Sequence, residues 1–474
     1  VTDRASQHRL FTNCNDVSSV MKKRAGLVLV RGGDLDRLQP EDFKTIQQWL
    51  QTGVIEVKRM TPLSHQEEAF GGILTAFENN DRATVIMACG TGKTLTALWL
   101  HEQLDNMRTL VLVPSLGLLG QTLREWTAHA SSGFEALPVC SDDTVRGSDA
   151  LVAHTGELGL PVTTDPAEIA GFLRRRSPRV VFATYQSSPR IAEAFSMGRV
   201  PAFDLVIADE AHRCAGRVSS DFATVLDPSA IRAKRRLFMT ATPRFFTERI
   251  RSQAREADFE VASMDDEETF GPVFHSLSFG DAIERDLLSD YQVVIIGVDN
   301  ATYRQYAERG RFVTTDGQAI TDARTLASQI GLAKALRDLD LRRTISFHSR
   351  VSGAQRFADE FPRLVEWMPE PERPDGEMLA DHVSGTMPTG QRDIRLEQLR
   401  DLDPGQRRLL SNARCLSEGV DVPTLDGVAF IDPRRSQVDI VQAVGRAIRK
   451  AEDKKVGTVV LPVFVGNAQD AETA

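Results

Sequence analysis

Between positions 88 and 94 the run Ala88-Cys89-Gly90-Thr91-Gly92-Lys93-Thr94 gathers two glycines, a lysine and two hydroxyl residues. It follows an apolar stretch and opens a helical pattern, the setting in which such a run binds phosphate. Gly90 and Gly92 free the backbone to turn its N–H groups onto a β-phosphate, and the helix N-terminus adds partial positive charge. Lys93 would bridge the β- and γ-phosphates of ATP, and the Thr94 hydroxyl would take Mg²⁺. Met87 stands where the general pattern begins with glycine. A glycine-rich turn with no ligand is the alternative, and the strand–loop–helix context argues against it.

Asp209-Glu210-Ala211-His212 follows the apolar run Leu205-Val206-Ile207-Ala208. A carboxylate at the C-terminal end of a buried strand lies beside the phosphate loop in α/β nucleotide sites. Asp209 is expected to hold Mg²⁺ through water, and Glu210 to orient and deprotonate the attacking water. Alone, an Asp-Glu pair after a strand reads equally well as a helix N-cap. With the glycine-rich loop upstream, catalysis is the expectation. In Gln437 to Lys450, helical periodicity puts Val441, Val444 and Ile448 on one face and Gln442, Arg446 and Arg449 on the other. By itself that arginine pair suits solvation or a charge at a helix C-terminus.

These residues need rigid elements to hold them. Apolar runs at Thr84–Ala88, Thr109–Val113, Val180–Ala183, Leu205–Ala208 and Leu237–Thr240 alternate with helical segments, the best at Thr94–Leu104 and Leu118–Ala130. A second series comprises Tyr291–Val298, Thr344–Phe347, Arg408–Ser411, Gly427–Ile431 and Val456–Val465. Such alternation predicts βαβ units on parallel sheets. The expected fold class is α/β, with two tandem RecA-like domains, parallel sheets and an ATP site in the cleft between them. The expected organisation is an N-terminal segment 1–60, a first domain 61–255, a connecting segment 256–290 and a second domain 291–474. Residues 299–340 and 362–380 read as helical or loop insertions.

The chain has 474 residues, 41% hydrophobic and 26% charged, which suits a soluble globular enzyme of two or three units. No apolar run is long enough to span a membrane. Five dispersed cysteines (Cys14, Cys89, Cys140, Cys214, Cys415) without a CxxC pair argue against a disulfide framework or a metal cluster, and point to the cytoplasm. A net charge of −9 argues against gripping nucleic acid with the whole surface and leaves room for a local groove. Basic clusters at Arg174–Arg176, Arg232–Arg236, Arg342-Arg343, Arg407-Arg408 and Arg434-Arg435 read singly as solvated faces.

The Asp-Glu-Ala-His run resembles motif II of the superfamily 2 helicases, and further runs resemble that family's motifs in order. Thr240-Ala241-Thr242 is similar to the motif that couples the ATP site to the nucleic-acid groove, with His212 its expected partner. Val113-Pro114-Ser115 with Gln121, and Thr184-Tyr185-Gln186, resemble the first domain's strand-contacting motifs; Phe347-His348-Ser349-Arg350 resembles the second domain's. The resemblance therefore implies nucleic-acid contacts at Pro114, Ser115, Gln121, Thr184, Tyr185, His348, Ser349 and Arg350. It also implies adenine reading by Gln66, nucleotide contacts at Gly419 and Asp421, and Arg446 and Arg449 as arginine fingers, with Gln442 beside them.

The runs Met87–Thr94, Pro114–Trp126 and Ser417–Lys450 are similar to the helicase part of bacterial restriction and mobile-element proteins, especially the single-chain type ISP restriction–modification enzymes. That likeness implies duplex-DNA translocation, and partner nuclease, methyltransferase or specificity domains in a longer chain. Glu56-Val57-Lys58 with Asp34 has the form of a PD-(D/E)xK nuclease site, but sixty residues are too few for that fold and a linker strand is expected. The alternatives are an RNA helicase, disfavoured by the absence of the Asp-Glu-Ala-Asp and Ser-Ala-Thr signatures, and a nucleic-acid-binding module switched by ATP without translocation.

Overall fold

A computed structural model describes residues 8–14, 27–30, 40–53, 59–140, 162–217, 220–257, 260–299, 323–384, 387, 389–413, 424–432, 437–450 and 456–465. The chain divides into two compact units, with the main boundary between Ala282 and Ile283. Among the described residues no helix is long and apolar enough to cross a membrane.

The first unit opens on a parallel pair, β1 (His8–Phe11) and β2 (Leu27–Val30), and a helix, Pro40–Thr52. Its main strands are β3 (Arg82–Met87), β4 (Arg108–Val113), β5 (Glu135–Val139), β6 (Arg179–Thr184) and β7 (Phe203–Asp209). A two-residue β8 (Gly216–Arg217) follows, then β9 (Ala233–Thr240), a two-residue β10 (Val261–Ala262) antiparallel to β8, and β11 (Val273–Leu277). Seven strands form one sheet in the order β11-β3-β9-β7-β4-β6-β5, and every neighbouring pair in it is parallel.

Helices cover both faces of such a sheet, so its strands are apolar along their whole length rather than alternately. All six residues of β6 are buried, as are the last five of β4. Pro138 lies in β5, an edge strand, where the missing N–H costs no ladder bond.

The second unit carries β12 (Asp290–Asp299), β13 (Arg343–His348), β14 (Glu377–Ser384), β15 (Gln406–Ala413), β16 (Gly427–Phe430) and β17 (Val456–Val465). They form a parallel sheet in the order β12-β17-β16-β13-β15-β14. The α/β class and two parallel sheets are thus as expected.

Three segments differ from their sequence reading. The stretch 256–290 supplies β11, the edge strand beside β3, through Thr84 N–H to Pro272 O (3.0 Å) and Ala88 N–H to Leu277 O (2.9 Å). Its acidic residues cap and begin the one-turn helix Glu267–Phe270, which aims Phe270 at Phe238, the ring centroids 5.0 Å apart. Gly271 has φ +74°, and a Cβ there would lie 2.4 Å from Arg82 backbone atoms, so only glycine fits this approach.

The region read as an insertion at 299–340 contains the helix Ala323–Asp338, whose Ala327, Ile330, Ala333 and Leu336 lie in the second unit's core. The stretch 362–380 contributes the end of the helix Val351–Trp367, with Pro362 inside it, and the start of β14. The basic clusters are partly internal. Arg236 is buried and donates to the Val225 carbonyl, and Arg407 is buried and donates to the Asp375 and Leu341 carbonyls.

Candidate active site

The strand order places β3, β9 and β7 side by side, so the phosphate loop, Thr240 and Asp209 leave one sheet at adjacent C-terminal ends. Ile86 pairs with Thr240, and Met239 with Asp209.

The phosphate loop takes its shape from its glycines and from the side chains beneath it. Gly90 and Gly92 have φ +89° and +84°, and Gly92 is the N-cap of the helix Lys93–Gln103. Thr91 turns inward, its hydroxyl donating to the Ala88 carbonyl at 2.8 Å. Gln66, expected to read adenine, is 4% exposed and engages the loop itself. Its Nε2 donates to the Thr91 and Gly92 carbonyls at 3.3 and 3.4 Å, and its Oε1 accepts from Leu63 N–H at 2.9 Å. His65 was not singled out from the sequence, yet its Nε2 donates to the same Thr91 carbonyl at 2.9 Å. Trp126 was also missed; its indole N–H donates to the Thr94 carbonyl at 3.0 Å. Both act through backbone carbonyls, so no residue-type signature marks them. Lys93 Nζ donates to the Met87 carbonyl at 3.2 Å, and Cys89 is half-buried between the strand and the loop.

Glu210 adopts φ +50°, rare for a residue with a side chain, and its N–H donates to Asp209 Oδ1 at 2.9 Å. Tyr185 Oη donates to the Asp209 carbonyl at 2.7 Å, and its ring stacks on Phe222. His212 is the bridge: its Nδ1 lies 3.0 Å from Thr240 Oγ1, 3.4 Å from Thr242 Oγ1 and 3.4 Å from Glu210 Oε2. Burial alone would raise the Glu210 carboxyl, but His212, Lys93 and Arg213 together hold it well below its ordinary value. It is therefore ionised at neutral pH. Burial pushes the Tyr185 hydroxyl well above its usual value and the Cys214 thiol up to about 12, so neither ionises there.

The donor set suits Mg²⁺ with a nucleotide. Thr94 and Asp209 offer hard oxygen atoms, and no three His, Cys, Asp or Glu gather as a metal cage among the described residues. An ion here would be completed by the nucleotide's phosphates and water, as Mg²⁺ prefers.

The residues expected to contact a strand divide by exposure. Thr184 is buried against Ser187, and Tyr185 is fully buried, so the structure makes both internal supports. His348 is likewise buried, bonded to Ser346 Oγ at 3.0 Å and edge-on to Phe357. Pro114 and Ser115 are buried, and Ser115 N-caps the helix Leu116–His129 by accepting from Leu118 N–H at 3.3 Å. Gln121 is half-buried and donates to Glu125. Ser349 and Arg350 are exposed, with Ser349 fixed by Asp432 through its N–H and hydroxyl (2.6 and 2.8 Å).

Gly419 and Asp421 lie outside the described residues, as do Asp34 and Glu56 to Lys58. Gln442 and Arg446 lie on the helix Gln437–Ala447, with side chains outside what is described. Arg449 is half-buried just beyond it. The buried stripe of this helix runs through Ala443, Ala447 and Ile448, while Val441 and Val444 are only partly covered.

Two family profiles match the chain: "Type III restriction enzyme, res subunit" over residues 59–245, and "Helicase conserved C-terminal domain" over 332–451. The probable helicase A859L of African swine fever virus (isolate Tick/South Africa/Pretoriuskop Pr4/1996) is 28% identical over 403 residues, covering 85% of this chain and 41% of its own. The type I restriction enzyme EcoAI endonuclease subunit of Escherichia coli is 26% identical over 247 residues, 50% of this chain and 24% of its own. The ATP-dependent type ISP restriction–modification enzyme LlaBIII, solved bound to DNA, superposes with a TM-score of 0.78 at 28% identity, covering 98% of this chain and 31% of its own. A nuclease-deletion mutant of the type ISP enzyme LlaGI, solved with a DNA substrate mimic, gives 0.60 at 29% identity, covering 87% and 28%. The chain thus spans about two-fifths of the viral helicases it matches and under a third of those restriction enzymes.

Proposed function

We propose that this chain, of the superfamily 2 helicase type and resembling the motor part of type ISP restriction enzymes, is an ATP-dependent DNA translocase of a restriction or phage-defence system. The observation that carries the reading is His212, set between Glu210 and Thr240 at the ends of adjacent strands. It joins the proposed hydrolytic base to the segment resembling the family's coupling motif.

In this reading Lys93 and the amides of the glycine-rich loop bind the ATP phosphates. Glu210, already ionised, accepts a proton from the attacking water. Mg²⁺, held by Thr94 and Asp209, would neutralise phosphate charge. Arg446 and Arg449, with Gln442 alongside, stabilise charge developing on the γ-phosphate, and Gly419 and Asp421 complete the nucleotide contacts. Ser349 and Arg350, the exposed members of the second unit's motif, contact the DNA backbone; on the first unit half-buried Gln121 does so, on the helix that buried Ser115 caps. Nuclease, methyltransferase or specificity domains act with this motor, in a longer chain or as partners.

Steady-state ATP turnover, measured alone and with duplex DNA, single-stranded DNA or RNA against a Lys93→Ala blank, tests the proposal. Stimulation by duplex DNA is expected. Stimulation by RNA alone moves the chain to the RNA helicases. Duplex-stimulated turnover that never displaces a triplex-forming oligonucleotide makes it an ATP-driven switch.

A further inference from the structure

The helix Leu116–His129 bears two kinds of residue. Near its start are Ser115, its N-cap, and Gln121, both expected to meet a nucleic-acid strand. Further along is Trp126, fully buried, with its indole N–H on the Thr94 carbonyl. The ring stacks on His101 at 5.4 Å, and Phe182 and Phe134 meet it edge-on at 5.5 and 6.2 Å.

Thr94 and His101 belong to one helix, Lys93–Gln103. Helix carbonyls point toward the C-terminus and side chains tilt toward the N-terminus, so a first-turn carbonyl and a last-turn side chain can meet one indole. Trp126 therefore clasps the phosphate-loop helix at two points. The carbonyl it holds is on Thr94, the residue proposed above to bind Mg²⁺ through its hydroxyl, so a shift of that residue's backbone would carry the hydroxyl with it.

We propose that Trp126 is a positioning residue that ties the Mg²⁺-binding turn to the strand-contacting helix, a second route from DNA to nucleotide beside His212. The inference rests on the function proposed above. Displacement of the helix at Ser115 and Gln121 reaches Thr94 through the indole, while Glu210 and Thr240 are not on this path.

The decisive variant keeps the bicyclic ring and removes the donor: Trp126→benzothienylalanine replaces N–H by sulfur. The readouts are the affinity for Mg²⁺·mant-ADP, with and without duplex DNA, and the melting temperature. In the unmodified protein DNA is expected to change nucleotide affinity. In the variant that change should shrink by about fivefold, the worth of one hydrogen bond, beyond whatever modest fall in melting the lost bond brings. A merely structural tryptophan would alter melting and leave the DNA effect intact, and that outcome overturns the proposal. So does an unmodified protein whose nucleotide affinity ignores DNA while its turnover responds. If Lys93→Ala equals the unmodified protein in nucleotide binding and turnover, the underlying function fails independently of Trp126.

Discussion

His212 concentrates three contacts on one nitrogen, and their geometry assigns it a consequence distinct from that of its neighbours. Loss of Lys93 or Glu210 removes chemistry; loss of His212 removes a connection. His212→Ala is expected to retain basal ATP turnover within a few-fold, while stimulation by duplex DNA falls by about tenfold, of the order of a coupling free energy between two sites. Paired assays of basal and stimulated turnover decide it, and equal loss of both would make His212 part of the hydrolytic chemistry. The placement of Lys93, Thr94, Asp209 and Glu210 at or just beyond the ends of β3 and β7 was legible in the sequence because they lie in contiguous runs. The inward turn of Thr91, the strap from Gln66 and His65, and the burial of Tyr185 and His348 were not, since each depends on what folds against it.

At the scale of elements, the apolar runs revealed the central strands because both faces of those strands are buried. β5, β11 and β14 escaped notice because these edge strands carry residues such as Glu135, His275, Ser276, Glu377 and Asp381, which no apolar pattern detects. The packing of the phosphate-loop helix makes a pH prediction. His101 is buried against Trp126, with its Nδ1 on Thr109 Oγ1, and burial lowers its pKa from 6.5 to about 4. The unfolded chain thus binds a proton that the folded one refuses. Stability from this residue is complete above about pH 6.5 and is lost as the pH falls toward 4, up to about 3 kcal/mol. Chemical denaturation between pH 7.5 and 4.5 should show a flatter slope for His101→Gln than for the unmodified chain. An identical slope would place the titration elsewhere.

At the scale of the whole molecule, the residues proposed for the reaction are spread along the chain, Lys93 and Glu210 in the first unit and Arg446 and Arg449 in the second. Arg446→Ala is therefore expected to bind ATP with near-normal affinity and to lose turnover by about a hundredfold or more. Fluorescent-nucleotide titration beside steady-state turnover separates the two effects, and normal turnover would remove the arginine from the reaction. A net charge of −9 fits the proposed motor, which would grip through a few exposed groups such as Ser349 and Arg350.

The pairing of β3 with β11 also governs the order in which the nucleotide site can be assembled. The amide that begins the phosphate loop, at Ala88, bonds to the carbonyl of Leu277, a partner 189 positions later (277 − 88). During synthesis the ribosome has delivered the glycine-rich loop, the acidic run and the threonines well before that partner emerges. Contacts of such sequence separation close slowly, and until then one side of β3 is an open ladder. A nascent chain halted at residue 245, where the first family match ends, would carry all three motifs and still present that bare edge to other strands.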